Sequence, residues 1–384
     1  MTRPLRVALV AGEASGDLLG AAFIDALRER CPGATFQGVA GPRMVAAGCT
    51  ALAGSEELAV MGFIEPLKHL PRLLRLRSRL IKAFLTDPPD VFVGIDSPSF
   101  NLGLAKRLKR AGIPAVQYVS PQVWAWRQGR VRTMGRSVDL VLCLLPFEAA
   151  FYAEHAVRAE FVGHPLADQV PLQPDRAAAR AALGLPQDAQ VVALLPGSRV
   201  GEVMRLGPPF AGAAAKLAAD RAPLPPLFIA PMANDHVRGL FQSAVDAARA
   251  PVRLLDGQSR LALAAADAVL VASGTATLET MLAKRPMVVA YKVAPLTAFI
   301  ARDLGLVKTT YCSQPNLLAD EGLVPEFLQE AATADALAES LGHQLDDVQN
   351  RDHLQARFLA LHQQLRLGGA ARAAEAVLGL LSAR

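Results

Sequence analysis

Apolar residues recur along this chain in two rhythms that take turns. Short runs dominated by apolar residues, "RVALV", "TFQGVA", "VFVGID", "AVQYV", "DLVLCL" and "AEFVG", mark the first part of the chain. Between most of them the apolar residues fall at helical spacing, as in Leu18, Leu19, Ala22, Phe23, Ala26 and Leu27. Such runs fit strands buried on both faces, and their alternation with helices predicts βαβ units and a parallel sheet. The segment "GHPLADQVPLQPD" (163–175) loses both rhythms and carries three prolines, which predicts a linker. The alternation restarts with "QVVALLP", "PLFIAP", "VRLLD", "AVLVAS" and "PMVVAY", and from about Thr333 the pattern is helical to the end. The expected fold is α/β: two doubly wound, Rossmann-like domains facing a cleft, then a helical C-terminal segment. Boundaries fall at 1–165, 166–350 and 351–384. The last helices pack back on the N-terminal domain or on a partner subunit.

In doubly wound sheets ligands sit beyond the carboxyl ends of strands, so the turns there matter most. "VALVAGEASGD" (7–17) ends a strand at Ala11-Gly12 and then offers Glu13, Ser15, Gly16 and Asp17. Ser15 or Asp17 would cap the next helix, and one cap would suffice. The surplus of polar groups points to a ligand. "VFVGIDSPSFN" (91–101) ends a strand at Asp96, with Ser97, Ser99 and Asn101 beyond. An acid there suits a general base, and it equally suits a helix cap. "SPQVWAWR" (120–127) carries both tryptophans of the chain, Trp124 and Trp126. At that spacing in a strand the two rings point the same way, as a wall for a sugar or acyl chain or as core.

Two turns in the second half suit a phosphate. "LLPGSRVGEVMRL" (194–206) runs strand, glycine turn, helix start. Gly197 admits close backbone approach, Ser198 can cap, free N–H groups face an anion, and Arg199 adds a charged fork beside Glu202. A plain βα turn with a surface arginine has the same sequence. "VLVASGTATLETML" (269–282) brings Ser273, Gly274 and Thr275 to the next helix start. Glu279, one turn in, could accept ribose hydroxyls or simply be solvated. Together these residues suggest a nucleoside-diphosphate sugar.

Composition narrows this further. The chain has 384 residues, 52% hydrophobic and 5% aromatic, which supports two real cores and argues against disorder. A net charge of +5 admits an anionic substrate or a membrane surface and gives no ground for nucleic acid. Cys31, Cys49, Cys143 and Cys312 lack metal-ligand spacing, so reduced thiols in a cytosolic protein are expected. The start "MTRPLRVALV" has no signal-peptide pattern, and no charge-free apolar run reaches transmembrane length. No two aspartates stand at i and i+2 and no HExxH occurs, so neither a metal nor another cofactor is expected. In "LKHLPRLLRLRSRLIKAFL" (67–85), Lys68, Arg72, Arg75, Arg79 and Lys82 recur at spacings of four, three, four and three. They form one basic stripe, with Leu70, Leu73, Leu74, Leu80, Ile81 and Phe84 as an opposing apolar face and "VMGFI" (60–64) upstream. This predicts a membrane-surface helix, against the alternative of a helix packed on the first sheet.

The motifs "AGEASGDLLGA", "GIDSPSFN", "PQVWAWR", "LPGSR", "ASGTATLE" and "PNLLA", in that order over nearly the whole chain, resemble the lipid-A-disaccharide synthases. The resemblance implies a GT-B type, inverting glycosyltransferase. Such an enzyme joins UDP-2,3-diacylglucosamine to 2,3-diacylglucosamine 1-phosphate (lipid X), giving the β-1,6 disaccharide 1-phosphate and UDP. It implies that the first domain takes the acceptor and faces the membrane, and that the second binds the UDP-sugar. It places Asp96 as base for the acceptor 6-hydroxyl and Glu13, Ser15, Gly16, Asp17, Ser97, Asn101, Trp124 and Trp126 on the acceptor side. Gly197, Ser198, Arg199, Glu202, Ser273, Gly274, Thr275, Glu279 and Asn316 of "QPNLLA" fall to the UDP-sugar. It further implies a peripheral protein on the inner face of the cytoplasmic membrane of a Gram-negative cell, and leaves a homodimer open. Gln314 and Gln122 depart from the leucine and serine expected at those positions, which bears on acyl preference. Another UDP-sugar transferase, a UDP-sugar epimerase and a non-catalytic nucleotide-sugar binder are the rival readings; the binder needs no base at Asp96.

Overall fold

The computed structural model describes residues 3–59, 66–121, 123–124, 131–294 and 309–383. It divides into two compact units, 1–168 with 365–384, and 169–364. The second unit therefore runs past residue 350, and only the last twenty residues return to the first.

The first unit holds seven strands: β1 Arg6–Ala11, β2 Thr35–Ala40, β3 Cys49–Gly54, β4 Val91–Ile95, β5 Ala115–Tyr118, β6 Leu140–Cys143 and β7 Ala159–Phe161. All pair in parallel in the order β3-β2-β1-β4-β5-β6-β7. The second unit repeats the scheme with β8 Val191–Leu195, β9 Leu227–Met232, β10 Val252–Asp256, β11 Ala268–Ala272, β12 Met287–Tyr291 and β13 Glu326–Leu328. Its order is β10-β9-β8-β11-β12-β13, again parallel. In each sheet the strand order reverses once, between β1 and β4 and between β8 and β11. That switch point is where a doubly wound sheet opens a crevice for a ligand.

The strands next to the switch points are the most apolar because they are covered on both faces. Every residue of β4, β8 and β11 is buried. Two strands are additions to those the sequence predicts. β3 is an edge strand whose middle residues are exposed, so "CTALAG" lacks a buried run, and β13 is only three residues long. The expected linker holds a short helix, Pro165–Gln169, at the unit boundary. Asp168 on it accepts from the N–H groups of Gly368 and Gly369 at 2.9 and 2.8 Å and pins the returning chain. Helix Gly369–Ser382 then packs into the first core, with Ala373, Ala374 and Val377 fully buried beside Phe23 and Leu27. All four cysteines are free thiols, and burial pushes the Cys49 thiol up to about 12.

The helix Pro66–Thr86 corrects one sequence expectation. Its core face is Leu73, Leu76, Leu80 and Phe84, all buried against the first sheet. Leu70, Leu74 and Leu85 lie on a separate flank and stay 46%, 42% and 46% exposed. The single apolar face read from the sequence is therefore two: one side of the stripe belongs to the core, and only the other meets solvent. Arg72, Arg75 and Arg79, with Glu57 and Leu76, line a surface pocket of about 320 Å³. Arg72 and Arg79 approach Glu57 at 3.9 and 3.8 Å. Lys82 is exposed; the side chain of Lys68 and residues 60–65 lie outside what is described.

Candidate active site

In the first unit the carboxyl ends of β1, β4 and β5 meet. The turn after β1 passes close under the turn after β4: a Cβ on Gly12 would meet the Ser97 Oγ at 2.5 Å. Only glycine allows that approach. Glu13 and Ser15 are exposed at this turn, and Glu13 is the N-cap of helix Ala14–Arg30 without a side-chain cap bond.

Asp17 does something else. It is 3% exposed, and its carboxylate accepts from the N–H groups of Gly41, Arg43 and Met44 at 2.9, 2.9 and 3.0 Å. It thus caps the neighbouring helix Pro42–Ala46, not its own, and is enclosed away from any acceptor. Gly16 is likewise buried.

Asp96 follows β4 with φ +51°, and Ser97 follows with φ +41°, both left-handed. Ser97 is the N-cap of helix Pro98–Arg110, yet its side chain makes no cap bond. The Asp96 carboxylate is half-buried and, among the described residues, has no hydrogen-bond or ion-pair partner. The capping alternative is therefore not what the structure contains. Asn101, expected beside the acceptor, is instead 0% exposed, and its amide donates to the Asp96 carbonyl oxygen at 2.8 Å.

Trp124 is half-buried, packed edge-on against Phe147 with ring centroids 4.8 Å apart. Its indole N–H donates to Glu148 at 3.1 Å. Glu148 also accepts from the N–H groups of Leu144 and Leu145. Burial pushes its carboxyl up to about 7, against the pull of the Leu145, Trp124 and Leu144 donors. Trp126 and Gln122 lie outside the described residues, so the paired wall stands here on Trp124 alone. Glu148 was missed in the sequence, although Pro146 and Glu148 open a helix in the usual way.

In the second unit, β8 leads into the turn Gly197–Arg199 and helix Val200–Asp220. Gly197 has φ +122°, and a Cβ there would meet the Glu202 Cβ at 2.6 Å. Glu202 folds back and accepts from the N–H groups of Ser198 and Arg199 at 3.1 and 3.3 Å. Its other oxygen lies 3.5 Å from the Arg199 guanidinium. This corrects the sequence picture in two ways. The cap residue is Arg199 and not Ser198, and the two N–H groups expected to be open to an anion already hold a carboxylate. Arg199 itself remains 69% exposed.

The turn after β11 is more open. Gly274 is the N-cap of helix Thr275–Leu282 without a side-chain cap, and Gly274 and Thr275 are exposed. Ser273 donates its hydroxyl to the Cys312 carbonyl at 2.7 Å. Glu279 is half-buried, and its carboxylate has no hydrogen-bond or ion-pair partner among the described residues; burial raises its carboxyl while Arg260 opposes the shift. Asn316 is 1% exposed and fully engaged: its amide group donates to the Val324 carbonyl and to Glu326, and its oxygen accepts from Val324 N–H. It cannot touch a ligand directly in this arrangement and instead braces the loop at Cys312–Ser313 together with Glu326. Thr277 ties that loop to its helix, accepting from the Gln314 N–H at 3.1 Å. Tyr291, at the end of β12 and 40% exposed, lies within electrostatic reach of Glu202 and Arg199. Neither residue had a local signal in the sequence.

The sequence model of the lipid-A-disaccharide synthetase family matches residues 7–377. A lipid-A-disaccharide synthase from Alkalilimnicola ehrlichii is 56% identical over 378 residues, covering 97% of this chain and 98% of its own. One from Pseudomonas aeruginosa is 53% identical over 385 residues, covering both chains fully. Among solved structures, the glycotransferase of kitacinnamycin superposes with a TM-score of 0.62 at 18% identity, covering 98% of each chain. The fold class is that of the GT-B glycosyltransferases.

Proposed function

The chain belongs to the lipid-A-disaccharide synthetase family and is a glycosyltransferase, and on that premise we propose that it joins UDP-2,3-diacylglucosamine to lipid X. The products are the β-1,6 disaccharide 1-phosphate and UDP. The observation that carries the reading is the Asp96 carboxylate, unpartnered among the described residues, at the switch point of the first sheet. The acceptor 6-hydroxyl gives its proton to Asp96 as its oxygen bonds to the donor's anomeric carbon. The bond from that carbon to the diphosphate oxygen breaks, and UDP leaves. In this reading Glu13, Ser15 and Trp124 meet the acceptor, while Asp17, Gly16 and Asn101 shape the turns from inside.

The second unit takes the UDP-sugar. The exposed Arg199 fork and the open helix start at Gly274–Thr275 receive the diphosphate, and Glu279 accepts from the ribose. Gly197, Ser198 and Glu202 set the backbone that carries Arg199, while Ser273 and Asn316 hold the facing loop. The direct test is UDP release from the donor. Release should require lipid X and match disaccharide one for one; equal release without acceptor contradicts a transferase.

No pair of aspartates is spaced to hold a metal diphosphate. Leaving-group charge therefore falls on Arg199 and the helix start. Turnover should persist in excess EDTA, and Arg199→Ala should slow it and weaken UDP binding, each on the order of 10-fold. Strict dependence on added Mg²⁺ or Mn²⁺ would contradict this.

We further propose that the exposed flank of helix Pro66–Thr86 is the membrane surface. Leu70, Leu74 and Leu85 supply apolar area, and Arg72, Arg75, Arg79 and Lys82 supply charge. Among the described residues no helix is long and apolar enough to cross a membrane. Each basic side chain near an anionic leaflet adds about 1 kcal/mol, screened by salt. Binding to anionic vesicles should fall with salt and fall further in Arg72→Glu/Arg75→Glu/Arg79→Glu. Unchanged binding by that folded variant would reduce the stripe to ordinary surface.

A further inference from the structure

The backbone around Asp96 is strained, and the molecule commits two buried amides to keeping it so. Asp96 and Ser97 are consecutive non-glycine residues in the left-handed region, at φ +51° and +41°. On the adjacent strand end Val119 stands at φ +76°, a position a β-branched residue rarely takes. Strain gathered on neighbouring strand ends persists only where the surroundings over-determine it.

Two side chains do the determining. The Gln117 amide donates to the Asp96 carbonyl oxygen at 2.9 Å and lies 3.2 Å from that of Val119. The Asn101 amide donates to the same Asp96 oxygen at 2.8 Å and lies 3.3 Å from that of Ile95. The Asp96 N–H donates in turn to Tyr118 at 2.8 Å. Both amides are 0% exposed. Each NH₂ faces backbone carbonyls, which fixes its orientation, because a flipped amide would set oxygen against oxygen. The consequence is that Asn101 Oδ1 and Gln117 Oε1 are buried without a partner among the described residues. A chain that needed only to close strand ends would not leave two amide oxygens unsatisfied beside three strained residues.

We infer that Gln117 and Asn101 are positioning residues for Asp96: by clamping its carbonyl they hold it left-handed and keep its carboxylate off the helix that follows. An N-cap residue is normally extended. Released from the clamp, Asp96 or Ser97 relaxes towards that state, and the carboxylate turns to the Ser99 N–H at the start of helix Pro98–Arg110, since Pro98 has no N–H and those of Phe100 and Asn101 already donate to the Ser97 carbonyl at 3.0 Å. A carboxylate so bonded is a weaker base and is misplaced for the acceptor. Gln117 is the sharper probe, since it belongs to β5 and to neither the Asp96 turn nor its helix. The inference rests on Asp96 being the base.

The test is Gln117→Leu, which removes one of the two clamping donors together with its orphaned oxygen and leaves Asn101 in place. It should lower kcat about 10- to 100-fold, leave KM for both substrates and UDP affinity within about two-fold, and shift the acidic limb of the kcat pH profile. Combined with Asp96→Asn it should slow the enzyme no further than Asp96→Asn does alone. If Asp96→Asn is inactive while Gln117→Leu keeps wild-type kcat and pH profile, the clamp is only structural and the inference fails, with the base intact. If Asp96→Asn itself is active, the base assignment fails first. Should Gln117→Leu not fold, Asn101→Leu removes the other donor and must show the same kcat-selective loss; wild-type kcat in that variant overturns the proposal equally.

Discussion

Asp96→Asn lowers kcat on the order of 100-fold or more and leaves UDP affinity unchanged. Asparagine matches aspartate in size, tolerates the left-handed backbone at this position, and leaves the clamp on the carbonyl in place. What it loses is the ability to take a proton. That loss is felt only in the transition state, so it falls on kcat and not on binding. The UDP site proposed here is built in the other compact unit, from Arg199, Gly274 and Thr275, which the substitution does not touch. Steady-state kinetics with a separate UDP titration separates the two quantities. A variant with near-wild-type kcat would mean that the unpartnered carboxylate has another purpose.

Asp17→Ala destabilises the first unit by roughly 3 kcal/mol while sparing the chemistry of the molecules that fold. Three N–H groups lose their acceptor at once, at Gly41, Arg43 and Met44. Gly41 and Met44 are buried, and each unsatisfied buried donor costs about 1–3 kcal/mol; Arg43 is exposed and can turn to water. The charge facing the start of helix Pro42–Ala46 is lost as well. Denaturant unfolding should show a lower midpoint at an unchanged slope, and kcat at a permissive temperature should stay within a few-fold of wild type. Wild-type stability with a collapsed kcat would return Asp17 to the acceptor.

Asp17 also shows what a sequence can and cannot convey. The strands beside the switch points were legible because burial on both faces forces runs such as "VVALL" and "AVLVA". The positions of Asp96, Gly197 and Ser273 followed, since each ends such a run. β3 was not legible, because an edge strand with exposed alanines has neither a buried run nor a clean alternation. The partners of polar residues were not legible either. Asp17 reaches 24 to 27 positions along the chain, Gln117 reaches back 21, and Asn316 meets Val324 and, in β13, Glu326. In sequence a polar residue in a turn looks ready for ligand or solvent whether or not a distant backbone claims it. Gln117 alone left a clue: a lone amide inside the fully buried strand "AVQY". The basic stripe of helix Pro66–Thr86 was correctly periodic, but periodicity could not say that Leu73 and Leu80 face the core while Leu70 and Leu74 do not.

The central claim is the bond that is made, and the product itself tests it. Purified protein given UDP-2,3-diacylglucosamine and lipid X should yield a single new species whose mass is the sum of the two substrates less UDP. Its NMR spectrum should show a β linkage from the donor's anomeric carbon to the acceptor's 6-oxygen. A released free sugar, an epimerised donor or recovery of both substrates unchanged would contradict the account.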